Sequence, residues 1–161
     1  MIRFATDAEH ASIASCIQLA FGSMAEVDLV SRLRKSSDLL LELVSEQAGH
    51  VNGSVVVSAL RLEPNPGLTC GAIAPLSVLP DHQRQGFGAQ LMLATIEQCK
   101  ALKLDALFLL GDPAYYSRFG FRRSSQASDY PADYFQELEL SPGCLQGLSS
   151  RAIYARAFTS L

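Results

Sequence analysis

At 161 residues the chain is long enough for one ordinary domain, and a domain of that size buries about two thirds of the surface its unfolded chain exposes, so no covalent or metal staple is required. Hydrophobic residues make up 48% and charged residues 18%, a balance that excludes a disordered chain. With 13 Lys and Arg against 16 Asp and Glu the net charge is -3, which excludes the broad basic surface of a nucleic-acid binder but not a small anion held by backbone amides at a helix start.

Residues 2–5 open the chain as a short strand. Thr6-Asp7-Ala8-Glu9 then has the spacing of a capping box ahead of Ile13, Ile17, Ala20 and Phe21 at helical intervals. This N-terminus turns polar and acidic before any apolar stretch of signal or membrane-span length develops, which points to a cytoplasmic protein with no membrane partner. A second amphipathic helix is predicted over residues 26–35, with Leu29, Val30 and Leu33 on one face.

The pattern then becomes extended. Residues 39–46, 51–62 and 70–79 read as strands, separated by turn residues at Ala48-Gly49 and at Pro64-Asn65-Pro66-Gly67. Asn52-Gly53 is itself a possible hairpin turn, but that leaves the preceding strand too long, so Gly53 is read as a bulge inside the strand. Leu91, Met92, Ile96, Cys99 and Leu102 predict a helix over residues 88–102, followed by a compact apolar strand, 106–110. Asp112 and Pro113 suit the cap and first position of a helix of about two turns ending at Gly120. Residues 134–140 and 151–158 alternate as two final antiparallel strands. Without repeats or a linker, residues 1–161 read as one α+β domain with a mixed sheet.

The four cysteines are far apart in sequence and read as buried free thiols, and His10, His50 and His82 lack the spacing of metal ligands, so no metal is expected. The informative stretch is residues 76–89, where an apolar strand passes through a polar loop into a helix. The first turn of a helix carries unpaired N–H groups and about half a positive charge. Gly86 and Gly88 would let phosphates approach the main chain, and Arg84 adds a cation. A Walker loop is excluded by the absence of an earlier Gly and of the Lys-Ser/Thr pair. A dinucleotide fingerprint is disfavoured by Leu91 at the third glycine position and by the six residues, 80–85, between strand and glycines.

Leu76-x-Val78-x-Pro80 followed by Gln83-x-x-Gly86-x-Gly88 and an amphipathic helix resembles motif A of the GNAT superfamily of N-acetyltransferases. The run from Gly111 through Tyr115-Tyr116 to Gly120-Phe121 is similar to a bacterial branch of that superfamily, and the likeness fades after Ser124. The resemblance implies a mostly antiparallel sheet splayed at the cofactor site and flanked by about four helices, with acetyl-coenzyme A as co-substrate and no metal. It implies that main-chain groups of Leu76 and Val78 pair with the pantetheine arm, with Pro75 tolerated at the gap in the sheet. Gln83 would fill the first motif position, and the amides of Arg84, Gln85, Gly86, Phe87, Gly88 and Ala89 would hold the diphosphate. The N–H near Val78 would polarise the thioester carbonyl. Tyr116, four residues before Gly120, matches the family tyrosine that protonates the leaving sulfur; Tyr115 and Tyr154 are its alternatives if the register slips.

The acceptor is expected to be an amine of a small molecule or peptide attacking directly. The general base is unassigned, because the 70–79 strand lacks the Glu that several family members carry. Glu26, Glu42, Glu46 and Glu63 are carboxylates for either the acceptor side or the solvated surface, the latter being the commoner fate. A route through Cys70 or Cys144 is weaker, since nothing adjacent lowers their pKa. The alternatives to an enzyme are a non-catalytic acyl-coenzyme A-binding module or sensor and, last, a plain interaction domain. A homodimer is kept as a candidate assembly.

Overall fold

The computed structural model describes residues 1–160. Strand β1 (Ile2–Phe4) leads through a short 3-10 turn into helix α1 (His10–Phe21), which is followed by α2 (Ala25–Ser36). Thr6 starts this corner: its N–H and its hydroxyl both donate to Glu9 Oε1, at 2.9 and 3.0 Å. Strands β2 (Leu39–Gln47), β3 (His50–Glu63) and β4 (Cys70–Val78) form an antiparallel meander. Ala48 and Gly49, both at positive φ, make the first hairpin turn, with Gln47 opposite His50. A bulge is present, one residue before the expected Gly53: Ser45 pairs with Gly53 and Glu46 with Val51, leaving Asn52 as the extra residue.

Helix α3 (Phe87–Ala101) crosses to β5 (Ala106–Leu110), which runs parallel to β4. A short helix, α4 (Pro113–Tyr116), continues as a 3-10 turn to Phe119. Asp112 caps it by accepting from the Ala114 N–H at 3.0 Å. Strands β6 (Arg122–Arg123), β7 (Phe135–Glu139) and β8 (Arg151–Tyr154) complete the sheet, whose order is β1-β2-β3-β4-β5-β7-β6, with β8 pairing the far end of β3. The last expected strand is therefore shorter than its alternating pattern: from Arg156 the chain turns into a 3-10 helix, which packs Ala157 and Phe158 with Leu29, Val30 and Leu33 of α2.

Both faces of the sheet are covered. Leu91, Met92, Ile96 and Cys99 of α3 pack on Leu41, Leu43, Val55 and Val57, while Ile13 and Ile17 of α1 and Leu33 of α2 pack on Val44 and Val56 from the other side. Val55, Val56 and Val57 are fully buried, which is why that segment reads as a continuous apolar run. Each such side chain contributes about 1.5–3 kcal/mol of transfer free energy. Among the described residues no helix is long and apolar enough to cross a membrane.

One irregularity positions the site. Val57 pairs with Ile73 and Val55 with Leu76, so Ala74 and Pro75 together oppose Val56 as a bulge. On its other side β4 pairs with β5 only from Cys70 to Ala72. Beyond Ala72 the two parallel strands part, β5 staying with β7 along its whole length. Pro75, which has no N–H to offer, lies in the stretch that has lost this neighbour.

Candidate active site

The split between β4 and β5 opens a cavity on each side, and Leu76 lines both. The first, of about 520 Å³, runs from Leu76 and Val78 to the start of α3 and is walled by Gln83, Arg84, Gly86, Gly88 and Ala89. Of the residues expected here, Gln85 and Phe87 stand outside this wall as side chains: Gln85 Nε2 donates to the Asp81 carbonyl at 3.1 Å, and the Phe87 ring lies 6.1 Å from that of His82. The Gln83 amide donates from Nε2 to the Val78 carbonyl at 3.0 Å, tying the loop to the end of β4.

The main chain of this loop is built for an anion. Arg84 (φ 62°) and Gly86 (φ 90°) are left-handed, and loops with such residues turn successive N–H groups to one concave side. Gly86 is required for its backbone angle alone, since a Cβ there would meet nothing within 4 Å. The Gln90 N–H closes the first helical bond, to the Gly86 carbonyl at 3.0 Å, and the Gln83 N–H reaches Pro80. Among the described residues the six amides between them, 84–89, have no protein acceptor. Residues 84–86 are exposed and 87–89 half-buried, so the donors are accessible at the positive end of α3.

Three wall residues, His82, Tyr115 and Arg118, were not among those that sequence reasoning assigned to the cofactor. Tyr115 Oη would lie 3.3 Å from a Cβ on Gly88, placing that hydroxyl against the loop, and the Arg118 guanidinium stacks over the Tyr115 ring at 4.7 Å from its centroid. Arg118 thereby adds a second cation to Arg84 in a cavity whose protein carries net negative charge. An Arg three residues after a Tyr on a short helix was the available signal, but only the fold puts it opposite Arg84.

The second cavity, of about 320 Å³, lies on the other side of the split. Tyr116 lines it, whereas Tyr115 faces the first cavity, their rings meeting edge to face at 4.9 Å. Burial pushes the Tyr116 hydroxyl up to about 12, with the neighbouring Tyr115 adding to the effect, so it is protonated at neutral pH. Among the described residues it has no hydrogen-bond partner. Tyr154 lines the same cavity. Its hydroxyl is buried without a partner, and burial raises its pKa as well.

The thiols are poor nucleophiles. Cys16, Cys70 and Cys99 are buried, and burial pushes Cys70 up to about 12; Cys144 is partly buried and raised by burial and by nearby Glu139 and Asp105. Among the described residues no cluster of His, Cys, Asp or Glu has the geometry to hold a metal ion.

A splayed α+β sheet with an anion cradle at the helix following the split strand defines an acyltransferase of the coenzyme A-dependent kind, and comparison with known proteins agrees. The family model for the acetyltransferase (GNAT) family matches residues 25–121. The uncharacterized N-acetyltransferase YhbS of Escherichia coli is 30% identical over 98% of both chains. Its crystal structure in complex with CoA superposes with a TM-score of 0.93, covering 99% of this chain and 91% of that one. A GNAT family acetyltransferase from Brucella melitensis in complex with acetyl-CoA is 29% identical with a TM-score of 0.84, over 98% of this chain and 97% of that one. Another E. coli protein, the uncharacterized N-acetyltransferase YjhQ, is 31% identical over 71% of this chain, a match that spans 65% of its own length. The chain belongs to the GNAT family of acetyltransferases.

Proposed function

We propose that residues 1–161 act as one N-acetyltransferase domain that moves the acetyl group of acetyl-coenzyme A directly to an amine of a small molecule or peptide. The observation that carries this reading is the run of six amides, 84–89, without protein acceptors at the open start of α3, beside the gap between β4 and β5. Residues Arg84, Gln85, Gly86, Phe87, Gly88 and Ala89 present these amides to the diphosphate, and Gln83 holds the loop against β4. Leu76 and Val78 border the pantetheine arm. The CoA and acetyl-CoA held by the E. coli and Brucella relatives support the same co-substrate here. The thiols are free rather than paired, which suits a reducing cytoplasm.

The chemistry follows from which side of the gap each group faces. Binding the thioester through the gap brings its carbonyl to the main chain at Leu76 and Val78, whose N–H groups polarise it. Tyr116, protonated and without a protein partner, gives its proton to the departing sulfur. Holding both reactants across one strand turns a bimolecular reaction into an effectively intramolecular one.

With a panel of primary amines, acetyl-coenzyme A is expected to release free thiol. Tyr116→Phe is expected to lower kcat by about 10² while leaving the coenzyme Kd within about twofold, the range for losing a general acid. Weakened coenzyme binding with unchanged kcat would remove Tyr116 from this role. Coenzyme binding without thiol release on any amine would leave a binding module.

A further inference from the structure

The second cavity carries a charge that the fold does not neutralise. Of the four carboxylates that the sequence offers to the acceptor side, three are spent on arginines: Glu42 Oε2 meets Arg34 Nη2 at 2.5 Å, Glu46 Oε2 meets Arg3 Nε at 2.9 Å, and Glu63 Oε1 meets Arg61 Nη2 at 2.7 Å. Glu26, in the first turn of α2, has no ion pair or hydrogen bond among the described residues. Its Oε2 is buried without a partner, and the side chain lines the cavity. No Lys, Arg or His lines that cavity. A carboxylate oxygen withdrawn from water without a donor is costly, and a ligand that brings N–H donors and positive charge would offset that cost.

The rest of the wall defines the ligand's body. Phe21, Tyr130, Tyr154 and Phe158 are aromatic, with Tyr154 packed edge to face on Tyr130 (4.9 Å) and on Phe158 (5.0 Å). Apart from Glu26 the only side-chain polar atoms offered are tyrosine hydroxyls, one of which, Tyr154 Oη, is also buried and unpartnered. Leu76 lines the cofactor-side cavity as well as this one, and Tyr116 lines this one.

We propose that this cavity is the acceptor site, that Glu26 is its ammonium-binding carboxylate and proton acceptor, and that its substrate is a primary amine carried on one compact apolar or aromatic body. This inference rests on the acetyltransferase reading above. The amine enters as an ammonium ion bonded to Glu26 and Tyr154. Glu26 takes one proton and frees the nitrogen lone pair. The nitrogen then bonds to the acetyl carbonyl carbon, and the carbon–sulfur bond breaks with its electron pair on sulfur. Tyr116 gives sulfur a proton and regains one from the nitrogen, while Glu26 passes its proton to solvent. One ammonium and one thioester yield one amide, one thiol and one proton. A single carboxylate in an aromatic box disfavours polyamines, whose second charge would be left buried and unpaired.

The test uses the full chain with acetyl-coenzyme A and two probes, 2-phenylethylamine and spermidine, together with calorimetry of coenzyme A and of 2-phenylethylamine to the coenzyme-bound protein. The wild type is expected to prefer 2-phenylethylamine at least about tenfold in kcat/KM, one buried charge being worth that much or more. Glu26→Gln is expected to lower this kcat/KM by about 10² or more, with coenzyme Kd unchanged and amine binding weakened, and Glu26→Asp to recover part of the rate. Tyr154→Phe, a milder change, is expected to raise KM for the amine more than it lowers kcat. A Glu26→Gln enzyme within threefold of wild type, a preference for spermidine, or no turnover of 2-phenylethylamine by coenzyme-bound protein would each overturn the assignment of this cavity. Loss of coenzyme binding by the wild type would instead overturn the acetyltransferase reading beneath it.

Discussion

Gly111 owes its lack of a side chain to Tyr116. A Cβ on Gly111 would stand 2.3 Å from Tyr116 Cε2 and 2.8 Å from Cδ2, a collision with the body of the ring rather than with a flexible tip. The ring has little room to yield, because Phe119 and Phe121 pack on it at 6.4 and 6.2 Å and Tyr115 meets it edge to face. Gly111→Ala is therefore expected to displace the Tyr116 ring and its hydroxyl, costing about 1–3 kcal/mol of stability as an overpacked contact does. Turnover should fall as far as in Tyr116→Phe, with the coenzyme Kd untouched. A fall in melting temperature with unchanged kcat would show that the hydroxyl position is not held by this contact. The spacing of Tyr116 to Gly120 was legible in the chain as written, because a left-handed glycine ends the turn at a fixed offset. The division of labour between Tyr115 and Tyr116 was not, since adjacent residues on a four-residue helix point to opposite sides of a gap that only tertiary structure creates. Glu26 could not be singled out from the other candidate carboxylates: it differs from Glu42 and Glu46 in having no arginine opposite, and those arginines come from other elements, Arg34 of α2 eight residues from Glu42 and Arg3 of β1 43 residues from Glu46.

The corner between β1 and α1 shows how a few polar groups tie elements together. Arg3 donates from Nη2 to Glu9 Oε2 at 2.6 Å and from Nε to Glu46 Oε2 at 2.9 Å, linking β1 to the turn before α1 and to β2. The guanidinium holds the Glu9 carboxyl down at about 2, with the Thr6 N–H and hydroxyl adding to the effect against the opposing cost of burial. Since the folded state favours the ionised form, this contribution is complete above the ordinary value of 4.5 and disappears as pH falls towards about 2. The melting temperature of Glu9→Gln should accordingly lie below wild type at neutral pH, with the gap closing between those two values. A gap independent of pH would mean that the carboxylate charge does nothing here. At this scale the chain was largely readable, since the capping spacing, the Ala48-Gly49 turn, a bulge within one residue of Gly53 and the helix after Gly86 all arise from neighbouring residues. The failures lie where partners are distant. Strand β6 is two residues long and has no periodicity of its own, existing only through its pairing with β7. The alternation of residues 151–158 outlasts β8 because Ala157 and Phe158 are drawn onto α2.

Across the whole molecule, the proposed function depends on a sheet that fails to close. Strand β4 keeps β3 along its length but loses β5 after Ala72, and the bulge at Ala74 and Pro75 bends it at that point. The strand that parts from its neighbour thus separates an anion cradle from an aromatic box, with Leu76 common to both. On the proposed reading, a ligand lodged in the gap would replace lost strand contacts and satisfy the amides of residues 84–89, none of which the unfolded chain can offer in that arrangement. Coenzyme A at about 100 times its Kd should then stabilise the fold by about 2.7 kcal/mol, provided only the native state binds. For a chain of this size that corresponds to a rise of roughly 5–10 °C in melting temperature. Pantetheine, which can fill the gap but brings no diphosphate, should give a much smaller rise at the same concentration, and the difference should shrink as salt screens Arg84 and Arg118. Equal shifts from the two compounds would locate the affinity in the gap alone and leave the amides at the start of α3 without the task their open arrangement suggests.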